Sequence, residues 1–236
     1  SSDLRFSLEL GGKSPVIILD DTSLDMAAAG SAGAIFFNQG QVCTAGSRLY
    51  VQRKRFDQVL ERLAAIAGDL SIGPGLDPTT QINPLVSARQ QERVLGMIES
   101  GVAEGASVVC GGARQGETGF YVQPTILADV TPGMQVVREE IFGPVLVATP
   151  FDDLDEAVRL ANDSIYGLGA SIWSNDLRQV MDLVPRIKAG TVWVNAHNLL
   201  DPSMPFGGFK QSGIGREMGH AAIEAYTENK SVCIAY

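Results

Sequence analysis

Short apolar runs alternate along the chain with longer segments in which apolar residues recur every three or four positions. Runs of four to eight residues are typical of strands, and the longer periodic segments are typical of amphipathic helices. The predicted strands cover residues 16–19, 49–51, 107–110, 121–127, 145–148, 170–173, 191–195 and 231–234. The predicted helices cover residues 24–38, 56–68, 88–102, 152–161, 176–187 and 216–226.

Alternation of strands and helices is the pattern of an α/β domain with a largely parallel sheet flanked by helices. The chain has 236 residues, which is enough for one large domain. Its contents of 45% hydrophobic and 19% charged residues are those of a folded globular protein. Because no apolar stretch approaches about 20 residues, we expect no membrane span.

The charge and the cysteine pattern exclude several classes of function. The net charge is −9, and the longest basic cluster is Arg53–Arg55, which argues against nucleic acid as a partner. Cys43, Cys110 and Cys233 are widely spaced, and the chain has only two histidines. This pattern predicts neither a metal site nor a disulfide framework, and it favours a reducing, cytoplasmic location.

Cys43 and Glu9 are the two residues that the local sequence marks for chemistry. Cys43 lies among small residues that permit a tight turn and the close approach of a substrate, and Glu9 precedes the loop Gly11–Pro15. A thiol and a carboxylate in such loops suggest covalent catalysis with a general base. Cys110 and Cys233 lie in apolar runs that predict buried, inert thiols. On local context alone, Cys43 remains either a nucleophile or a buried thiol.

Several motifs, taken together, give the chain a family resemblance. They lie at residues 8–15, 36–43, 139–145, 166–168 and 205–213. In order, spacing and identity they resemble those of the NAD(P)-dependent aldehyde dehydrogenase superfamily. The resemblance covers essentially all of the chain and corresponds to the C-terminal half of the family's sequence. It implies the fold of the aldehyde dehydrogenase catalytic domain.

The resemblance implies a role for each matching residue. Cys43 corresponds to the nucleophile, which forms a thiohemiacetal with an aldehyde and then, after hydride transfer to the nicotinamide, a thioester. Glu9 corresponds to the general base that activates the hydrolytic water. Glu140 corresponds to the residue that holds the nicotinamide ribose, Phe142 packs beside the nicotinamide, and Gly11 belongs to the same site. The implied cofactor is NAD, with NADP as the alternative.

The resemblance also indicates an aldehyde pocket. The corresponding positions are Phe37, Val42, Thr44, Leu200 and Phe206. All except Thr44 are apolar, which suits a hydrophobic or aromatic aldehyde. Residues 195–202 are most similar to the phenylacetaldehyde-type members. We interpret His197 as an ordinary loop histidine, and Lys13 and Lys210 as structural or solvated residues.

The resemblance implies that part of the family's machinery lies outside this sequence. We expect residues 1–11 to end a cofactor-binding domain, 12–211 to form the catalytic domain and 212–236 to return to the first domain. Residues 228–236 resemble the family's oligomerisation strand, which implies a homo-oligomer. The chain does not begin with Met, which suggests a piece of a longer protein. We therefore expect the isolated chain to lack dehydrogenase activity.

Two other functions remain open at this stage. In a CoA-acylating member, CoA rather than water would take the acyl group, and the water-activating Glu9 argues against it. In a structural protein of the same fold, no chemistry would be retained. The presence of Cys43, Glu9, Glu140 and Phe142 together argues against that alternative.

Overall fold

The fold is an α/β arrangement around a seven-stranded sheet, given by a computed structural model that describes residues 5–236. The strands are β1 Leu8–Glu9, β2 Pro15–Ile18, β3 Arg48–Gln52, β4 Ser107–Cys110, β5 Thr125–Ala128, β6 Val145–Phe151, β7 Tyr166–Gly167, β8 Gly169–Trp173, β9 Thr191–Val194, β10 Phe209–Lys210 and β11 Gly213–Ile214. The helices are α1 Leu24–Phe36, α2 Phe56–Asp69, α3 Ala88–Ala103, α4 Gln135–Arg138, α5 Leu154–Asn162, α6 Leu177–Leu183 and α7 Gly219–Ala225.

The central sheet has the order β4-β5-β6-β3-β2-β8-β9, and β4 is its one antiparallel strand. The predicted largely parallel sheet flanked by helices is therefore confirmed. Along residues 16–19, side chains alternate between two cores. Val16 and Ile18 pack in the cluster that contains α1 and α2, whereas Ile17 and Leu19 pack in the cluster that contains α5 and α6.

Two predicted elements near the C-terminus differ from the structure. The helix predicted at 216–226 begins only at Gly219, because Phe206 and Glu217 exchange backbone hydrogen bonds and Met218 has a φ of 63°. The strand predicted at 231–234 is wrong for the chain as described, since residues 227–236 form neither helix nor strand and are exposed. The prediction that Cys233 is buried is wrong for the same reason. A strand needs a hydrogen-bonded neighbour, and within residues 5–236 none pairs with this segment.

The strand predicted at 121–127 is shorter than expected and begins at Thr125. Pro124 has no backbone N–H to donate to a ladder, so it precedes the strand rather than lying within it. Two small sheets lie outside the central one. In the first, β1 pairs with β11, and in the second β10 pairs with β7.

A buried arginine joins the start of β3 to the end of α5. The Arg48 side chain is 2% exposed. Its guanidinium donates to the carbonyl oxygens of Lys13 at 2.8 Å, Leu160 at 3.0 Å and Ala161 at 2.8 Å. Carbonyls at a helix C-terminus lack partners within the helix, and a cation there is stabilising. Arg48 therefore fixes α5 against the central strands.

We expect Arg48→Met to lower the free energy of unfolding by about 3–5 kcal/mol, because it removes the side-chain donor from the buried carbonyl oxygens of Lys13 and Ala161. Arg53→Met is the matched control, since Arg53 forms an exposed ion pair with Asp152. Its loss should cost less than about 1 kcal/mol. Urea unfolding of both variants measures the difference, and equal losses would contradict the role assigned to Arg48.

Candidate active site

The segment that leads into Cys43 has an unusual backbone conformation. After α1, residues 37–40 form a tight turn in which Asn38 and Gln39 have φ angles of 48° and 56°. Gly40 has a φ of 69°, and a Cβ there would overlap the carbonyl of Gly143. Non-glycine residues keep positive φ angles only where their surroundings impose them. The turn is therefore held by its neighbours.

Two glutamine side chains supply part of that support. The Gln39 side chain accepts a hydrogen bond from the Asn83 amide at 3.2 Å, and the Gln41 side chain accepts one from the Val86 amide at 3.0 Å. Backbone N–H groups of the loop between α2 and α3 thus hold the turn at residues 37–40 in place. No local pattern marks these two glutamines for this role, because their partners lie more than forty positions away.

Gly12 brings the segment that follows Glu9 directly against Cys43. A Cβ at Gly12 would overlap the carbonyl oxygen of Cys43. Only glycine permits two backbone segments to approach this closely. The backbone of Cys43 is thereby brought close to the segment that follows Glu9.

We expect Gly12→Ala to destabilise the chain by about 1–3 kcal/mol and to alter the reactivity of Cys43, because the added methyl group must displace the Cys43 backbone. Gly33→Ala is the matched control, since Gly33 is exposed in α1 and a Cβ there meets nothing within 4 Å. That variant should gain about 0.5–1 kcal/mol. Thermal unfolding and iodoacetamide labelling of both variants check this, and identical behaviour would contradict the close approach.

The Cys43 thiol is partly buried. Burial raises its pKa, and the charges of Glu9 and Glu140 raise it further, whereas the N–H of Thr44 opposes the shift. A thiol with a raised pKa is mostly protonated at neutral pH, so nucleophilic attack needs an acceptor for its proton.

Glu9 lies on β1, which pairs with β11 so that Glu9 is opposite Gly213. Its side chain is accessible and passes over Gly207, where a Cβ would lie 3.1 Å from the Glu9 Oε1. Burial raises the pKa of the Glu9 carboxyl, the Glu217 charge adds to the shift, and Arg216 opposes it. A carboxylate with a raised pKa is a stronger base, and its pKa lies closer to neutral pH.

Glu140 is held beside Gly11 and Gly12. The Gly12 amide donates to Glu140 Oε1 at 3.1 Å, and a Cβ at Gly11 would overlap Oε2. Burial raises the pKa of the Glu140 carboxyl, although the Gly12 N–H, Lys13 and Arg93 oppose the shift. One carboxylate oxygen is thus fixed by a hydrogen bond, and the other lies over the site of the missing Gly11 side chain.

Phe142 follows in the same segment, with a φ of 58° and a ring that is partly exposed. Two residues of α3 support this segment, although the sequence did not single them out. Gln90 donates to the Phe142 carbonyl at 2.8 Å, and Arg93 donates to the Glu140 carbonyl at 2.8 Å. Both lie on a helix face whose polar pattern looks like an ordinary solvated surface.

The five predicted pocket residues do not all meet in one cavity. Leu200 and Phe206 line an open cavity of about 520 Å³ together with Trp193. The Phe37 ring is 64% exposed, and Val42 packs against the core that contains α1. Thr44 is buried, and its hydroxyl is bonded to Asn198. Phe37, Val42 and Thr44 do not line this cavity, and their role as pocket walls stays a prediction.

His197 lies in the loop after β9, and its interpretation as an ordinary loop histidine stays a prediction. Its ring is partly buried, with Nδ1 3.0 Å from the Ser171 Oγ and Nε2 2.8 Å from the Thr44 carbonyl oxygen. Burial lowers the pKa of His197 to about 4, although the Thr44 hydrogen bond opposes the shift. Its partners are distant in sequence, so the loop pattern alone gave no sign of them.

The two lysines that we interpreted as structural or solvated differ in their surroundings. Lys13 is buried, and its Nζ has no hydrogen-bond partner within residues 5–236. Burial lowers the pKa of Lys13 to about 7, and the charge of Arg48 adds to the shift. Lys210 donates to the carbonyls of Asn162 and Ser164 at 2.9 Å and so closes the end of α5.

Between residues 5 and 236, no group of three acidic, histidine or cysteine side chains is arranged to hold a metal ion. No helix in that range is long and apolar enough to span a membrane.

Comparison with known proteins identifies the family. The model of the aldehyde dehydrogenase family matches residues 2–232. Phenylacetaldehyde dehydrogenase from Pseudomonas fluorescens is 53% identical over 98% of this chain and 46% of its own length. Human retinal dehydrogenase 2 is 44% identical over 98% of this chain and 44% of its own length.

A solved structure gives the same result in three dimensions. The NAD+ complex structure of aldehyde dehydrogenase from Bacillus cereus superimposes with a TM-score of 0.94 at 50% identity. The match covers 96% of this chain and 46% of that structure's chain. The chain thus spans about half the length of the relatives that it matches. The fold, the motifs around Cys43 and Glu9, and these matches agree, and the chain belongs to the aldehyde dehydrogenase family.

Proposed function

We propose that this chain supplies the nucleophile and the base for oxidation of an aldehyde to a carboxylic acid with NAD(P). The observation that carries the proposal is the contact of Gly12 with the Cys43 carbonyl, which brings the segment that follows Glu9 against the Cys43 backbone. Cys43 attacks the aldehyde carbon, and its proton passes to a nearby base. After oxidation at that carbon, Glu9 takes a proton from water, which hydrolyses the thioester and releases the acid.

The residues present fit the nicotinamide end of a dinucleotide. Glu140 offers a fixed carboxylate to sugar hydroxyls. Gly11 has no Cβ that would overlap this carboxylate. The partly exposed Phe142 ring offers a flat apolar surface beside that carboxylate. When bound, the dinucleotide would supply the hydride acceptor, which no side chain can provide. NAD is the proposed cofactor, with NADP as the alternative.

The proposed substrate is a hydrophobic aldehyde of the phenylacetaldehyde type. The cavity lined by Trp193, Leu200 and Phe206 is mostly apolar and is large enough for one aromatic ring. The relative named phenylacetaldehyde dehydrogenase, at 53% identity, supports the same choice.

The assembly and the location are also proposals. Residues 228–236 are exposed and have no strand partner within the described part of the chain. We propose that they pair with a second copy and that residues 212–236 belong with a cofactor-binding domain that also includes residues 5–11. Residues 1–4 of that predicted domain lie outside the described range. The three free cysteines favour a cytoplasmic location.

The acyl half of the reaction tests this function without any nucleotide. With p-nitrophenyl acetate as acyl donor, we expect one p-nitrophenolate per chain in a burst, followed by slower turnover, because Cys43 is acylated before water attacks. Absence of the burst would contradict the proposal. Acyl transfer only in the presence of CoA would favour the CoA-acylating alternative.

A further inference from the structure

The residue after Cys43 is held from two directions by one loop. The Thr44 hydroxyl donates to the Asn198 Oδ1 at 2.5 Å, and the Thr44 carbonyl oxygen lies 2.8 Å from the His197 Nε2. Both partners belong to the loop that follows β9, more than 150 positions away in sequence. Thr44 itself is 5% exposed, so water does not replace these contacts readily.

Hydrogen-bond chemistry fixes the protons of this arrangement. A carbonyl oxygen can only accept, so the His197 Nε2 must carry a hydrogen. With its pKa lowered to about 4 by burial, the ring is neutral at pH 7, and Nδ1 is therefore an acceptor. The Ser171 hydroxyl lies 3.0 Å away and donates to it, and Ser171 Oγ accepts from the Trp173 indole at 3.3 Å. Every polar atom of the His197 ring thus has a partner of the correct sense.

The His197 ring is also held by packing. Its centre lies 4.9 Å from that of the Trp193 ring, and its Cε1 would lie 3.4 Å from a Cβ at Gly46. A side chain restrained by two hydrogen bonds and an aromatic neighbour has little freedom to follow movements of Thr44. The rigid element in this pair is therefore the histidine.

Thr44 directly follows Cys43, so the backbone conformation at Thr44 sets the position of the Cys43 side chain. We propose that His197 is a positioning residue, which fixes the backbone next to Cys43 through its hydrogen bond to the Thr44 carbonyl. Its catalytic importance rests on the proposed function of Cys43 as the nucleophile. The contact itself does not depend on any substrate.

A pair of substitutions at His197 separates this role from general packing. The His197→Gln side chain can place an amide nitrogen close to the original Nε2 and so keep the donor to Thr44. His197→Asn is shorter, so it can reach Ser171 but not the Thr44 carbonyl. At pH 7 we expect iodoacetamide to alkylate Cys43 roughly three- to tenfold more slowly in the Asn variant, and within about twofold of the parent rate in the Gln variant.

Cys110, followed by mass spectrometry in the same samples, is the internal standard and should be alkylated at the parent rate in both variants. Equal Cys43 rates in the parent and both variants, or equal slowing in the two variants, would overturn the proposal. Nitrogen-15 NMR of the parent chain needs no substitution at His197, so it decides the question even if the Asn variant unfolds. We expect the neutral Nε2–H tautomer at pH 7. The Nδ1–H tautomer would overturn the proposal, because its Nε2 has no hydrogen to donate to the Thr44 carbonyl.

The outcome is separable from that of the proposed function. If the acyl burst is absent but the Asn and Gln variants differ as expected, Cys43 is not the acyl acceptor, and the positioning by His197 stands. If the burst is present and the two variants do not differ, the proposed function stands, and His197 has no positioning role.

Discussion

Replacement of Cys43 with alanine is expected to remove the acyl burst completely and to slow ester hydrolysis by at least about a thousandfold. The backbone carbonyl of Cys43 lies against Gly12, and the charges of Glu9 and Glu140 add to the rise that burial causes in the pKa of the Cys43 thiol. Without its sulfur no covalent acyl intermediate can form. The measurement is the stopped-flow release of p-nitrophenolate from p-nitrophenyl acetate.

Cys110→Ala is the matched control for that experiment. Cys110 is also partly buried, and burial also raises its pKa, but it lies at the end of β4 beside the Pro124 carbonyl. Its removal should leave the burst unchanged. A burst that survives in Cys43→Ala, or one that is lost in Cys110→Ala, would assign the nucleophile to a different residue.

Replacement of Glu9 with glutamine is expected to leave the acyl burst largely intact and to slow the later turnover by about a hundred- to ten-thousandfold. The amide preserves the shape of the side chain but cannot take a proton from water. Acylation by an activated ester needs less help from a base, because the nitrophenolate is a good leaving group. The burst and the steady state of the same progress curve therefore report separately on Cys43 and Glu9.

The rate of deacylation in the parent chain should depend on pH through the Glu9 carboxyl. The pKa of the Glu9 carboxyl is raised by burial and by Glu217. Since only the ionised carboxylate can act as a base, deacylation should speed up as the pH rises through that raised pKa. Glu9→Gln should lack this rise. Glu224→Gln, on the exposed face of α7, is the control and should retain it.

Much of the fold followed from local pattern. The run 16–19 alternates between two cores, and the apolar faces of α2 and α3 are buried as their spacing predicts. These features depend on residues close together in sequence, where periodicity carries the information. The strand predicted at 231–234 failed for the opposite reason, since a strand exists only where another strand is available to pair with it.

The candidate site was predictable only in part, because its members come together from distant segments. The motifs around Glu9 and Cys43 marked the two groups, but the contact of Gly12 with the Cys43 carbonyl appears only in three dimensions. The hydrogen bonds of His197 were not predictable from the sequence, because its partners, Ser171 and Thr44, lie 26 and 153 positions away. The one sequence signal was its place just after a predicted strand, at the carboxyl end of a parallel sheet, where functional residues gather.

Peptide mass spectrometry of Glu9→Gln after reaction with p-nitrophenyl acetate tests the central claim most directly. In this variant the acyl group should persist, because the water that removes it is no longer activated. The account predicts a single acetyl group per chain, attached to Cys43. An acetyl group on Cys110 or Cys233, or no lasting adduct at all, would contradict the assignment of Cys43 as nucleophile and Glu9 as base.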